Sequence, residues 1–260
     1  SHADGKAYFE TSTNQFIVWD ATDGEWIQLD SDGTGAGFQN RWGASFDGSN
    51  DYLSVTQDSA INISGAITLS AWVNRTATTG FNGIFTKRQA GGSMNYQFTI
   101  NNSNGQIGLG HAGGWAYNTT TTLEAGVWYH VAVTVSSGTA QFYINGVAKD
   151  SFTGVSITAT THDLSIGAVV GHYYFGGDID EAAVFNTALS APDIAKIYNG
   201  TAPNGKPTDL TLAASYDTDR TSNLVGYWRM GDDSNDSPSS DPASNEIVTT
   251  FFNIFMSYHC

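Results

Sequence analysis

The sequence has little of several features that define common classes of protein. It contains one cysteine in 260 residues, Cys260 at the last position. A single cysteine forms no internal disulfide and no cysteine-based zinc site, so packing must stabilise the fold. No run of about 18 apolar residues occurs, and residues 1–20 lack the basic start and apolar stretch of a signal peptide. We therefore expect no membrane insertion.

Positive charge is also scarce. Lys and Arg number 10 against 25 Asp and Glu, which gives a net charge of −15 at pH 7 and a pI near 4.4. Nucleic acids and anionic membranes would be repelled, because binding them requires clustered Lys and Arg. We expect no nucleic-acid partner. The acidity suits divalent cations, but most exposed Asp residues only keep a fold solvated, so composition alone does not indicate a metal site.

Helix-forming residues are few, whereas turn and strand formers are abundant. The chain has 29 Gly, 13% aromatic residues and many Thr and Ser, a composition typical of strands joined by tight turns. A chain of this length can bury a sizeable core in one main domain. We therefore predict an all-β protein.

Residues 126–150, GVWYHVAVTVSSGTAQFYINGVAKD, give the clearest local pattern. Alternation with a period of two predicts a strand whose core face carries Tyr129, Val131, Val133 and Val135. Asn145-Gly146 is a strong hairpin signal, because both residues tolerate positive φ. The stretch is therefore predicted to form a three-stranded meander. His130 lies in the middle of its first strand and is predicted to be a hydrogen-bonded core residue.

Changes in composition divide the chain into three predicted parts. Residues 1–38 form a small β appendage, with strands flanking Thr13-Asn14 and a turn at residues 22–24, and end in a Gly-rich linker. Residues 39–200 form the main sandwich. Residues 201–260 form an extension with one strand, at 223–232, and an apolar end that docks on the sandwich or on another chain. That strand either belongs to a truncated next module or pairs back as an edge strand.

One helix of about two turns is predicted near the end of the sandwich. Ser190 is placed to cap it, and Asp193 completes an S-x-x-D capping box. An apolar face then runs along the helix, formed by Ile194, Ile197 and Tyr198, before Asn199-Gly200 ends it.

Six segments in order carry a family resemblance: FDGSNDYLSV (46–55), ITLSAWV (67–73), GVWYHVAVTV (126–135), FYINGV (142–147), LSIGA (164–168) and GGDIDEAAVFNTALSAPDIAKIY (176–198). Together they resemble the laminin G-like branch of the concanavalin A-like lectin and glucanase superfamily. The resemblance implies a jelly-roll β-sandwich of two antiparallel sheets, one of them often concave and carrying a binding groove. The pattern AYFETSTNQFIVWD…GEWIQL near the N terminus resembles short β modules of tailed-phage structural proteins and some surface proteins.

A structural calcium ion is the sharpest chemical hypothesis. Asp47, Asn50 and Asp51 supply side-chain oxygens in one turn, and Asp178 and Asp180 supply carboxylates in the D-I-D-E segment. Calcium requires six to eight oxygen ligands, so neither segment suffices alone. The resemblance implies that both segments contribute to a shared calcium site. The alternative is that the turn residues only cap their own turn through Asx hydrogen bonds.

The same D-I-D-E segment invites comparison with jelly-roll glucanases, whose E-x-D-x-x-E strand carries two catalytic glutamates. Asp178 stands in place of the first Glu, and Ala182 or Ala183 in place of the last. Alternation also predicts that Glu181 faces away from Asp178 and Asp180, which excludes a retaining pair on one face. We therefore expect no enzymatic activity.

A glycan-binding groove is the favoured activity, since sugars need exposed aromatic rings beside polar side chains. Two loops offer such rings, at Trp115 and Tyr117 and at Tyr173 and Tyr174. The alternative is that residues 173–175 start a core strand and that Trp115 closes the end of the sandwich.

Together these features predict a non-enzymatic recognition or adhesion module within a virion structural protein, such as a fibre, appendage or capsid decoration. Its expected partners are a cell-surface or extracellular polysaccharide, other virion proteins and further copies of itself, and its expected location is the virion or the extracellular space. A bacterial extracellular carbohydrate-binding adhesin and a jelly-roll glycoside hydrolase are the alternatives.

Overall fold

The structure is a computed structural model that describes residues 44–76, 81–88, 94–101, 103–117, 121–169, 172–200 and 210–230, together with three strands nearer the N terminus. Those strands, β1 (Ala7–Glu10), β2 (Gln15–Asp20) and β3 (Glu25–Leu29), form an antiparallel sheet of their own. Trp19 pairs with Trp26 across the second hairpin. The predicted N-terminal strands are confirmed, whereas the linker lies outside the described residues.

The remaining elements, in chain order, are β4 (Ala44–Asp47), β5 (Leu53–Val55), β6 (Ile67–Arg75), β7 (Phe81–Arg88), β8 (Met94–Asn101), β9 (Gln106–His111), β10 (Gly114–Tyr117), β11 (Trp128–Ser136), β12 (Thr139–Ile144), β13 (Val147–Thr153), β14 (Leu164–Ile166), β15 (Ala168–Val169), β16 (His172–Tyr174), β17 (Gly176–Phe185), α1 (Ala191–Gly200), two short 3₁₀ helices (Ala213–Ser215 and Thr221–Asn223) and β18 (Leu224–Trp228).

Two antiparallel sheets pack face to face, as an all-β jelly-roll sandwich requires. One has six strands in the order β10-β9-β8-β7-β14-β5. The other has the order β13-β12-β11-β6-β17-β18, with β4 also paired to β17. Strands β15 and β16 form a separate two-stranded ribbon. No helix in the described ranges combines the length and apolar character that crossing a bilayer requires.

The core lies between the two sheets and includes the face predicted from the meander. Val131, Val133 and Val135 of β11 are buried there with Phe142 of β12. Burying each such side chain stabilises the fold by about 1.5–3 kcal/mol relative to leaving it in water. Tyr129, at the start of β11, is partly buried against the same core. The predicted three-stranded meander is confirmed as β11, β12 and β13.

A second apolar cluster lies on the outer side of the larger sheet, beneath α1. It contains Ile194 and Ile197 of the helix and Phe185 of β17. The predicted capping box is present: the Asp193 N–H donates to Ser190 Oγ at 3.2 Å, and the Ser190 N–H donates to Asp193 Oδ2 at 3.3 Å. The helix has 10 residues and is therefore longer than the two turns predicted.

The strand predicted after residue 200 pairs back onto the sandwich. β18 lies antiparallel to the second half of β17, with Ala182 opposite Trp228. β4 pairs with the first half of β17, where Gly176 lies opposite Asp47. The two strands therefore occupy the same edge of β17, one after the other. The boundary at residue 200 stays a prediction, and the apolar C-terminal end lies outside the described residues.

Candidate functional site

An aromatic patch covers part of the outward face of the six-stranded sheet. β10 is an edge strand of this sheet, and its residue Ala116 is buried in the core. Its neighbours Trp115 and Tyr117 therefore point outward, because successive side chains of a strand alternate between faces. Their rings are nearly parallel, with an interplanar angle of 8° and centroids 5.6 Å apart. Trp115 is 40% exposed.

Two glycines of β9 make room for these rings. Tyr117 lies opposite Gly108 and Trp115 opposite Gly110 in the β9–β10 register. A Cβ atom at Gly108 would come within 2.6 Å of the Tyr117 ring. One at Gly110 would lie 2.9 Å from Met94 Sδ and 3.1 Å from the Trp115 ring. The Tyr117 ring can therefore lie where it does only because residue 108 is glycine, whereas a Cβ at position 110 would require small shifts of Met94 and Trp115.

Phe81 extends the patch across the sheet, although the sequence did not reveal it as a site residue. It is paired with Asn101 at the start of β7. Its ring centroid is 6.1 Å from that of Trp115, at 25° between planes, and 5.7 Å from that of Tyr173, at 79°. Phe81 therefore connects the two loops that the sequence predicted separately. The non-local pairing of β7 with β8 was needed to find it.

The β15–β16 ribbon places Tyr173 beside Phe81. The ribbon runs so close to β7 that a Cβ at Gly83 would lie 2.4 Å from the backbone of Ala168. Tyr173 has a positive φ of 53° and is 51% exposed. We call the set of Phe81, Trp115, Tyr117 and Tyr173 the aromatic patch.

The other two aromatic residues of this loop behave differently. Tyr174 lies beside Tyr52, with centroids 6.2 Å apart, and has no ring contact with the patch. Phe175 is fully buried and meets Phe46 edge-on at 6.1 Å. The alternative that residues 173–175 belong to the core therefore holds for Phe175 but not for the exposed Tyr173.

Polar side chains accompany the patch on the same face. Asn101 and Gln106 are paired with each other and are both partly buried. Gln97 accepts a hydrogen bond from Arg88 at 2.9 Å. Thr99 lies between Gly83 and Gly108 in the register and is buried, and its hydroxyl has no hydrogen-bond partner within the described part of the chain. The face thus combines apolar rings with amide groups.

The predicted calcium turn is closed by its own hydrogen bonds. Asp47 Oδ1 accepts from the N–H groups of Ser49 at 2.7 Å and of Asn50 at 3.2 Å. Asp51 Oδ2 accepts from the Asp47 N–H at 3.1 Å. These are the Asx-type contacts of the alternative interpretation, in which the turn residues cap their own backbone.

The two acidic segments are neighbours, as the calcium hypothesis requires, but their carboxylates are spread along the strands. Asp178 lies opposite Ser45, whereas Asp47 lies opposite Gly176. Asp180 is buried, and its Oδ1 accepts from the N–H of Glu181 at 2.8 Å. Among the described residues, no three His, Cys, Asp or Glu side chains are grouped to hold a metal ion. Calcium binding by the five predicted ligands therefore stays a prediction.

The direction predicted for Glu181 was wrong. A β-bulge between Asp180 and Ala183 adds a residue to β17 opposite β6, and Glu181 has a φ of 49°. The bulge ends the strict alternation on which the prediction depended. The Glu181 carboxylate accepts a hydrogen bond from the Tyr227 hydroxyl, and Tyr227 packs against the cluster beneath α1, on the outer side of the sheet. Asp180 and Glu181 are both buried, so neither carboxylate is presented to a ligand on the surface.

His130 is a buried, hydrogen-bonded residue of the larger sheet, as predicted. Its Nε2 lies 2.9 Å from Ser70 Oγ, and its backbone N–H donates to Asn145 Oδ1 at 2.9 Å. Burial lowers its pKa to about 3. His130 is therefore neutral at physiological pH and contributes to the fold.

The fold and these motifs agree with a family model. The model of the laminin G type in the concanavalin A-like lectin/glucanases superfamily matches residues 47–195. The chain belongs to this superfamily. Its laminin G-like domain thus comprises most of the sandwich, including every residue of the aromatic patch. No curated protein matches the chain closely enough to count as a relative.

Two solved structures show the same fold as the laminin G-like domain. A putative carbohydrate binding protein from Bacteroides ovatus is 19% identical with a TM-score of 0.52, over 72% of this chain and 51% of that one. The sialidase of Trypanosoma rangeli is 14% identical with a TM-score of 0.50, over 80% of this chain and 32% of that one. The chain thus spans about half of the first protein and about a third of the second.

Proposed function

We propose that the laminin G-like domain binds an extracellular glycan through the aromatic patch and does not hydrolyse it. The observation that carries the proposal is that Phe81, Trp115, Tyr117 and Tyr173 form one connected group of rings on an outward sheet face. Trp115 stays 40% exposed on the outer face of the sheet, away from the core, so its ring can pack against the apolar face of a sugar. The carbohydrate-binding description of the Bacteroides protein is consistent with this assignment.

The chemistry of the face favours a neutral polysaccharide of several sugar units. Four rings in contact offer a surface larger than one sugar needs. Asn101 and Gln106 lie beside them; their oxygens accept from the Ser103 N–H at 3.0 Å and from Asn104 Nδ2 at 2.7 Å, so their NH₂ groups are the proposed donors to sugar hydroxyls. The net charge of −15 opposes the approach of an anionic polymer. Arg88, the cation described on this face, already donates to Gln97.

The test is binding to a microarray of neutral plant and microbial polysaccharides by the wild-type domain and by Trp115→Ala. We expect affinity to fall at least about tenfold, since truncating a Trp at the centre of a binding surface costs about 2 kcal/mol or more. Val147→Ala is the matched control, because Val147 is 56% exposed on β13, in the other sheet. Unchanged binding by Trp115→Ala would place the ligand elsewhere.

The non-enzymatic part of the proposal has a separate test. Asp180 and Glu181 are buried, which supports binding without hydrolysis. Incubating the domain with the polysaccharides that it retains should release no new reducing ends. Their appearance, and their loss in Asp178→Asn, would assign the domain to the glycoside hydrolases instead.

The virion setting is a further proposal, for which the N-terminal sequence pattern is the support. A virion fibre or appendage would assemble from several copies of the chain, and light scattering on the full chain measures that number. A monomer at micromolar concentration would favour the alternative of a bacterial extracellular adhesin.

A further inference from the structure

A buried histidine holds the hairpin that carries half of the aromatic patch. His111 is the last residue of β9 and is 6% exposed. Its Nδ1 accepts hydrogen bonds from two backbone N–H groups, of Gly113 at 3.0 Å and of Ser156 at 3.3 Å. Only an unprotonated ring nitrogen accepts hydrogen bonds, so the proton of the neutral ring is assigned to Nε2.

These two amides belong to different parts of the fold. Gly113 lies in the turn between β9 and β10, and Ser156 lies in the segment that follows β13. The Ala112 N–H also donates to the Ser156 carbonyl at 3.2 Å. His111 therefore fastens the β9–β10 turn to the segment after β13, at the adjacent edge of the other sheet. β10 pairs only with β9 among the described strands, so this fastening limits how far the edge strand can move.

Among the described residues, the segments packed against His111 offer no charged side chain that would compensate a positive ring. Tyr96 of β8 lies opposite His111 in the register, and the described residues of β8, β10 and segment 154–157 include no charged side chain. The charged residues nearest to that segment along the chain are Lys149 and Asp150 of β13, and burial lowers the pKa of His111 below its ordinary value. Protonation of Nδ1 would thus turn it from a hydrogen-bond acceptor into a donor that faces the N–H groups of Gly113 and Ser156.

We propose that protonation of His111 opens the β9–β10 turn, displaces Trp115 and Tyr117, and thereby releases the bound glycan in mildly acidic surroundings. His111 acts as a positioning residue, since it belongs to the support of the patch and not to its surface. The release of glycan rests on the proposed function, whereas the opening of the turn does not.

The direction of the pH effect follows from the pKa of His111 in the closed and open forms of the turn. The pKa of His111 is lowered in the closed form, whereas an open, solvated turn would restore a value near 6.5. The open form therefore binds the proton more tightly. The closed turn is fully favoured above about pH 6.5 and loses stability as the pH falls from there toward the lowered pKa.

The structural test follows the amides of Gly113 and Ser156 by hydrogen exchange between pH 7.5 and 5, with each rate divided by its intrinsic value. We expect their protection to fall below about pH 6.5, by at most about tenfold per pH unit, as one coupled proton requires. In His111→Asn the side-chain oxygen takes the place of Nδ1 and does not titrate, so protection should stay constant. His130→Gln is the control, and there the wild-type pH response should remain.

Constant protection in the wild type, or an unchanged pH response in His111→Asn, would overturn the inference. A nitrogen-15 titration of the wild-type His111 ring gives the same answer without a variant, because a ring that stays neutral down to pH 5 while the amides open contradicts the mechanism.

The functional test repeats the polysaccharide microarray at pH 7.5 and pH 5. We expect the wild type to lose at least about tenfold in affinity at pH 5 and His111→Asn to bind equally at both values. If the amides respond to pH but no polysaccharide binds at either pH, the proposed function fails and the opening of the turn stands. If binding is found and the amides do not respond, the proposed function stands and the inference fails.

Discussion

Gly108 and Gly110 have no side chains and so leave room for the rings of the aromatic patch. Each allows a ring of β10 to lie close to the backbone of β9. A Cβ atom at position 108 would push the Tyr117 ring outward, and one at position 110 would crowd Met94 and Trp115 less severely. The patch therefore depends on small residues that would carry no signal in a search for binding groups.

We predict that Gly108→Ala weakens polysaccharide binding and destabilises the fold by about 1–3 kcal/mol, because the new Cβ displaces the Tyr117 ring. A double-mutant cycle with Tyr117→Ala checks the cause by urea unfolding. Once the ring is absent, alanine at position 108 should cost much less. Equal costs in both backgrounds would show that the strand itself, and not the ring, rejects the Cβ.

Two buried threonines make a matched pair. The Thr99 hydroxyl has no hydrogen-bond partner among the residues that the structure describes. Thr68 Oγ1, by contrast, donates to the Thr187 carbonyl at 2.7 Å and accepts from the Leu189 N–H at 2.9 Å. We predict that Thr99→Val leaves stability unchanged or raises it by up to about 1 kcal/mol, and that Thr68→Val lowers it by about 1–3 kcal/mol. Urea midpoints compare the two. A cost for Thr99→Val as large as that for Thr68→Val would mean that the Thr99 hydroxyl has a partner.

The turn of residues 47–51 is where the calcium hypothesis can be tested. From the family resemblance we expect the melting temperature to rise when calcium is added to chelator-treated protein. The Asp47→Ala variant should show no such rise. Direct metal analysis of the purified protein is the second readout. Absence of calcium and of any thermal shift would leave the turn with its Asx hydrogen bonds alone.

At the scale of elements, Asp193 joins the helix to the segment that leads into β18. Besides capping α1, it accepts from the Thr218 N–H at 3.0 Å and from Arg220 Nε at 3.0 Å. Burial raises the pKa of Asp193, but its hydrogen bonds to Thr218, Ser190 and Arg220 lower it more, so the net direction is downward. One carboxylate thus serves two elements.

We predict that Asp193→Ala destabilises the domain by about 3 kcal/mol or more, because the partners of a buried, hydrogen-bonded carboxylate are left unsatisfied. Ser190→Ala, which removes only the cap, should cost about 1 kcal/mol. Hydrogen exchange should show faster opening of β18 in the first variant only. Because its pKa is lowered in the folded state, the contribution of Asp193 is complete above its ordinary value and is lost as the pH falls through the folded one.

Local patterns predicted the elements well, and non-local pairing limited the prediction of the site. The valine alternation of β11 and the box from Ser190 to Asp193 follow from rules within a few residues, and both are confirmed. Glu181 was placed on the wrong face, because a bulge is set by the partner strand and not by the bulged residues alone. Phe81 was missed for a similar reason, since only the sheet order brings it to Trp115.

At the scale of the whole molecule, His130 couples stability to pH. Burial lowers its pKa to about 3, whereas an unfolded chain titrates near 6.5. We predict that the wild type loses stability as the pH falls from about 6.5 toward 3, at up to about 1.4 kcal/mol per pH unit. In His130→Gln this slope should be smaller between pH 7 and 5, where few carboxylates titrate. Urea unfolding at each pH measures the difference, and identical slopes would exclude His130 as its source.

The arrangement of β4 and β18 on one edge of β17 has a consequence during synthesis. A ribosome makes β4 early, whereas the partner for the second half of β17 is made only when residues 224–228 emerge. Until then, that part of the strand exposes unpaired backbone N–H and C=O groups, a template for strands of other chains. The nascent domain is therefore open to domain swapping and aggregation at this edge from the synthesis of β17 until β18 is in place.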